Sequence, residues 1–143
     1  MILKFKLKAG EKQIALSTEI EKDLPLVHAD IGLIERVLEN LIENAIQNTP
    51  RDGAIRLVLT PQKEDITIQI SDTGSGIPAE ELDHIFDRFY QLDKSRKADQ
   101  GHSGLGLAIT KKILELHDRS INVVSALGSG TTFSFQLPVI SSV

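Results

Sequence analysis

The chain has no cysteine. That excludes disulfides, thiol nucleophiles and cysteine-based zinc sites, and it suits a reducing compartment. It has no basic excess either: 16 Lys and Arg against 20 Asp and Glu leave a net charge of −4. A mildly acidic domain lacks the electrostatic footprint of a nucleic-acid or anionic-lipid binder, so neither partner is expected. Ten Gly and five Pro are too few for a disordered or collagen-like chain. The four histidines, His28, His84, His102 and His117, form no HExxH or other helical metal pair. The start, MILKFKLKAG, lacks the apolar centre of a signal peptide. From Ser120 onward there is no charged residue, yet fewer than half the positions are apolar and GSGTT interrupts them. That segment predicts two strands and a turn, not a membrane helix.

The 143 residues, 41% apolar and 25% charged, suit one globular domain. Ile14, Leu16, Thr18 and Ile20 alternate with polar residues and predict a strand. Residues 24–27 read as a short additional strand. A helix is predicted over 31–48, its apolar stripe formed by Ile34, Val37, Leu38, Leu41 and Ala45. Pro50, Asp52 and Gly53 end it. Two strands follow, around Ile55–Leu57–Leu59 and Ile66–Ile68–Ile70, with PQKED as the hairpin loop. A short helix is predicted over 78–82 and a longer one over 104–117. Residues 87–103 are polar and poorly periodic, the pattern of a functional lid or a disordered loop. Strands over 121–124 and 132–137 complete an α+β chain. The expected architecture is a two-layer α/β sandwich. Its sheet is mixed, mostly antiparallel and about five-stranded, with about three helices on one face.

Three constellations carry chemistry. Asn40, Asn44 and Gln47 lie on one stripe of the long helix. A solvated face reads the same way, but asparagine is a poor helix former. Amide oxygens are hard ligands for Mg²⁺, and amide N–H groups donate to phosphate. Asp72-Thr73-Gly74-Ser75-Gly76-Ile77 follows an apolar strand directly. It reads as a tight turn, or as a carboxylate placed to accept from a purine amino group while two glycines let backbone approach a flat ring. Gly101-His102-Ser103-Gly104-Leu105-Gly106-Leu107 opens the last long helix. It reads as a flexible loop, or as backbone N–H groups aimed at an anion at a helix N-terminus.

The order VLENLIENA, DTGSGI, IFDRFY, GHSGLGLAI, GSGTTFSF resembles the N, G1, F, G2 and G3 boxes of the ATP-binding catalytic domain of two-component sensor histidine kinases. That family sits within the gyrase, chaperone, kinase and mismatch-repair ATPase superfamily, whose ATP-binding fold is of the Bergerat type. The resemblance covers roughly residues 30–138. It implies ATP and Mg²⁺ as cofactors and a role for each matching residue. Asp72 binds the adenine amino group, with a bridging water that Thr131 helps hold. Gly74 and Gly76 pass under the ring, and Ile77 belongs to the same cofactor-binding set. Asn44 is the Mg²⁺ ligand, and Asn40 and Gln47 lie beside the phosphates. Phe86 and Phe89 anchor the lid, Phe89 near the nucleotide, and Arg88 reaches the γ-phosphate. Gly104 and Gly106, with the backbone of Leu105 and Leu107, cradle phosphates. Gly128 and Gly130 form a structural turn near the base. Asn40, Asn44 and Arg88 make up the implied catalytic set.

Three positions depart from the family pattern. Gln47 and Asn48 stand where many members carry a cation and then an aromatic or histidine. Gln47 brings no charge to the phosphates, and Asn48 cannot stack on adenine. His117-Asp118-Arg119 replaces His-Gly-Gly, and the turn there is expected to need another geometry, because Asp and Arg enter positive φ less freely. Asn40 also stands where the gyrase and chaperone relatives carry a water-activating Glu, so the site is built to position ATP rather than to hydrolyse it.

No histidine here fits the family's phosphoacceptor motif; each reads as a local structural residue. The expected protein is therefore a catalytic module, inactive alone. Its partners are the histidine-bearing dimerisation domain of a longer parent kinase and, indirectly, a response regulator. The isolated domain is expected to be monomeric and cytoplasmic, with any membrane anchor in the parent. Residues 1–10 are read as a linker end or strand start, and 11–140 as the single ATP-binding domain. The alternatives are a nucleotide-sensing regulatory module without phosphotransfer and a serine kinase of the anti-sigma-factor type.

Overall fold

A computed structural model describes residues 1–90 and 104–140. The expected lid from residue 91 onward lies outside the described residues, together with Gly101, His102 and Ser103. The elements are α1 (Ile2–Glu11), β1 (Ala15–Ile20), α2 (Ile31–Asn48), β2 (Ala54–Gln62), β3 (Asp65–Asp72), α3 (Gly106–Leu116), β4 (Asn122–Ser125) and β5 (Thr131–Pro138). They build one five-stranded sheet in the order β1-β2-β3-β5-β4. β1 pairs parallel with β2 and every other pairing is antiparallel, so the sheet is mixed and mostly antiparallel, as expected.

Alternation decides which sheet face is covered. In β3, Ile66, Ile68, Ile70 and Asp72 are buried while Thr67, Gln69 and Ser71 are only half-buried. Phe133, Phe135 and Leu137 of β5 and Ile55 and Leu57 of β2 join the same core. Against them lie Val37, Leu41, Ile42 and Ala45 of α2 and Ile113 and Leu114 of α3. Asp30 caps α2, its Oδ1 accepting from Leu33 N at 3.0 Å. Among the described residues, no helix is long and apolar enough to cross a membrane.

The N-terminal residues differ from expectation. They form no strand but the helix α1, with Phe5 and Ala9 completely buried. Leu3, Phe5 and Leu7 fit a period of two, whereas Ile2, Phe5 and Ala9 fit a helical stripe; the core contact selects the second. Lys4 and Lys8 on the outer side pair with Glu39 and Glu43 of α2 at 3.9 and 3.6 Å.

Smaller differences have local causes. The β2–β3 hairpin is tighter than a five-residue loop: Gln62 pairs with Asp65, and Lys63 takes φ 48° in the turn. Residues 24–27 contribute a single bridge, Val27 to Val139, not a strand. The predicted 78–82 helix is one 3-10 turn, Ala79–Glu81. α3 starts at Gly106 because Gly104 has φ +75°, outside helical space. Asp118 adopts φ 57°, so the turn keeps the left-handed form that glycine would give, contrary to expectation. Arg119 N bonds Leu114 O at 2.8 Å across that turn, and the Arg119 guanidinium pairs with Asp65 at 3.0 Å. His117 is structural: Nδ1 lies 2.9 Å from Ile113 O, and Nε2 accepts from Asp30 N at 3.1 Å.

Candidate functional site

Asp72 ends β3 with only 8% of its surface exposed. Its Oδ1 accepts from Gly74 N at 2.8 Å. Burial pushes its carboxyl above the usual aspartate range, while the backbone N–H groups of Gly74 and Thr131 pull the other way. No cation pairs with it among the described residues. Thr131, its register partner on β5, is 6% exposed.

The turn after Asp72 is packed too closely for side chains. A Cβ on Gly74 would overlap the carbonyl oxygen of Asn48, and one on Gly76 that of Ala126. Gly76 also has φ +77°. Ile77 is buried beside them. The Gly128 N–H donates to Ser75 O at 2.8 Å, so the 73–77 and 126–130 turns interlock.

Sequence reading missed two residues that hold this site. Ser125 Oγ accepts from Ile77 N at 2.8 Å and lies 2.9 Å from both Gly130 O and Thr131 Oγ1. Lys12 Nζ donates to Ile46 O at 2.7 Å and Gln47 O at 3.2 Å. α2 has no basic residue in its own last turn, so Lys12 supplies a cation to its C-terminal end. Both contacts span more than 30 residues of chain, so no local pattern signals them.

On α2, Asn40 Nδ2 donates to Gly106 O at 3.2 Å and Thr110 Oγ1 at 3.4 Å. The amide nitrogen thus braces the start of α3. Asn44, one turn on, is half-buried and its side chain bonds no described residue, which leaves a hard oxygen available. Gln47 follows, half-buried. No group of three His, Asp or Glu able to hold a metal exists among the described residues. A Mg²⁺ ion at Asn44 would therefore draw its other ligands from phosphate and water, which fits its reluctance to dehydrate.

The N-cap position of α3 is Leu105, whose side chain makes no capping hydrogen bond to the helix. A Cβ on Gly104 would lie 2.8 Å from Phe89 Cα, and Phe89 N bonds Gly104 O at 2.9 Å. Leu105 and Leu107 are half-buried. The F box splits in two. Phe86 meets Phe133 edge-on at 6.3 Å, whereas Phe89 is 61% exposed at φ 62°. Arg88 is exposed without an ion pair among the described residues. Tyr90 Oη donates to Glu81 at 2.6 Å, and partial burial with that carboxylate pushes its phenol up to about 12.

Residues 29–141 match the family described as histidine kinase-, DNA gyrase B-, and HSP90-like ATPase. The circadian input-output histidine kinase CikA of Synechococcus elongatus is 36% identical over 95% of this chain and 18% of its own length. The adaptive-response sensory kinase SasA of the same organism is 42% identical, over 90% of this chain and 33% of its own length. The chain thus spans a third or less of these relatives. The catalytic domain of histidine kinase ThkA superposes with a TM-score of 0.81 at 28% identity, covering 96% of this chain and 86% of that one. Full-length ShkA, solved in complex with AMPPNP, gives 0.83 at 25% identity, covering 98% of this chain and 29% of that one. Sequence and shape agree: the chain belongs to the histidine kinase-, DNA gyrase B- and HSP90-like ATPase family, as an ATP-binding catalytic domain of the sensor histidine kinase kind.

Proposed function

We propose that this domain binds Mg-ATP and presents the γ-phosphate to a histidine on a separate dimerisation domain of its parent kinase, from which a response regulator is served. The observation that carries the reading is the Asp72 carboxylate, buried at a strand end with backbone N–H partners and no paired cation among the described residues. Such a group keeps an acceptor for a neutral donor, here the adenine amino group. Thr131 lies beside it, and Gly74, Gly76 and Ile77 present a flat backbone surface to the ring.

Asn44 would hold Mg²⁺ through its amide oxygen. When bound, that ion neutralises phosphate charge during phosphoryl transfer. Asn40 keeps α3 against α2 and leaves its own oxygen near the phosphates. Gln47 donates without charge. The glycine-rich start of α3, with Gly104, Leu105, Gly106 and Leu107, would turn backbone N–H groups toward the phosphates, where the helix end carries partial positive charge. Arg88 and Phe89, both exposed, approach the nucleotide from the F box. No carboxylate stands one turn before Asn44, where Asn40 is, so no side chain there deprotonates water near neutral pH. Positioning the phosphoryl group for an incoming imidazole is what these residues do. The reading places the domain in the cytoplasm, with ATP.

The test is phosphotransfer in trans. The domain, Mg²⁺ and γ-labelled ATP are incubated with the dimerisation domain of the same gene. Acid-labile, base-stable label on that domain is expected. Acid-stable label, or none on a partner competent with another kinase domain, overturns the reading.

A further inference from the structure

We propose that Ser125 decides which purine the site accepts, by holding the Thr131 hydroxyl as an acceptor. The proposal rests on the reading of Asp72 and Thr131 as the base-contacting pair. A serine hydroxyl has one proton and two lone pairs. Ile77 N–H, at 2.8 Å, occupies one lone pair. The two remaining neighbours, each at 2.9 Å, are Gly130 O and Thr131 Oγ1. A carbonyl cannot donate, so the Ser125 proton goes to Gly130 O. Thr131 must then donate into the last lone pair of Ser125. The opposite assignment would set the buried Gly130 carbonyl against oxygen lone pairs, an unpaired acceptor in a closed turn.

The consequence is at the base. With its proton engaged by Ser125, Thr131 offers only lone pairs on the other side. Its register partner Asp72 offers a carboxylate. Together they form an edge made of acceptors, which suits an exocyclic amino group or a donating water. Guanine would need a donor for its carbonyl oxygen beside an acceptor for its ring N–H. A Thr131 hydroxyl released from Ser125 would provide that donor, with Asp72 as the acceptor. Ser125 is thus a positioning residue that acts through Thr131.

The experiment measures Mg-ATP and Mg-GTP affinity by calorimetry for the wild type, Ser125→Ala, Ser125→Thr, Thr131→Val and the Ser125→Ala/Thr131→Val double variant. Ser125→Ala should narrow the preference for ATP over GTP by about 3- to 10-fold, the scale of one neutral hydrogen bond. Ser125→Thr keeps a hydroxyl and should restore the preference. In the Thr131→Val background, Ser125→Ala should change both affinities by the same factor. Equal loss of both nucleotides in Ser125→Ala itself would mean a merely structural role and overturns the proposal alone. A wild type that does not prefer ATP overturns the base-contacting reading as well. If Ser125→Ala does not fold, Ser125→Cys, a weaker donor, takes its place; a smaller narrowing is expected, and an unchanged ratio overturns the proposal.

Discussion

The Cβ that Gly130 lacks would overlap the carbonyl oxygen of Asp72. The first residues of β5 can lie against the end of β3 only because that atom is missing. Gly130 also has φ +77°, which strains any L side chain. Gly128 has φ +80° but open space around it. The two glycines therefore separate conformational strain from steric overlap.

Gly128→Ala should cost about 1–2 kcal/mol, the left-handed penalty alone. Gly130→Ala adds the overlap and should cost more than about 3 kcal/mol, with Asp72 displaced. Urea denaturation of the two variants checks the order. Equal losses would mean that the close approach of β5 to Asp72 is not what demands glycine.

Asp72→Asn tests function against stability. Burial holds the Asp72 carboxyl above its unfolded range, so between the two values the native state binds the extra proton. Stability from this group is therefore present at low pH and lost as pH rises through its native titration. The amide removes that loss. The nucleotide-free variant should be more stable than the wild type at neutral pH, and its stability should vary less across that window. ATP affinity should fall about 10- to 150-fold, the worth of a hydrogen bond to a charged group. Thermal unfolding with and without ATP reads both effects, and undiminished stabilisation by ATP would remove Asp72 from the site.

Asn44→Ala should weaken Mg-ATP while leaving adenosine binding nearly as it was, because the lost oxygen faces metal and not base. The contrast should be largest with Mg²⁺ present and shrink when EDTA is added. Equal loss for both ligands would deny Asn44 the metal.

Lys12→Met keeps the apolar stem but removes the cation from the end of α2. It should destabilise the domain by about 1–2 kcal/mol, combining a charge-assisted hydrogen bond with the helix-dipole interaction. Since α2 carries Asn44 and Gln47, ATP affinity should fall with it. Chemical denaturation and calorimetry on the same variant test this; a stability loss below about 0.3 kcal/mol would reduce the contact to a surface one.

Local pattern alone revealed much of this protein. Strand alternation in DITIQISD, the apolar stripe of α2 and each of the five motifs are carried by residues close together in the sequence. Asp72, Asn44 and the glycines therefore stand out in the sequence as candidates, since each sits in a motif whose chemistry is local. Tertiary structure decided the rest. MILKFKLKAG carries both a period of two and a helical period, and only the core that receives Phe5 and Ala9 selects the helix. Asn40 reads as a phosphate neighbour, but its amide nitrogen reaches across to α3, 66 residues away in sequence. Ser125 and Lys12 bond partners 48 and 34 residues distant. Such contacts exist only once the sheet and helices have packed. A hydroxyl at a strand end or a lysine in a turn carries no mark in the sequence of which distant backbone group it will satisfy.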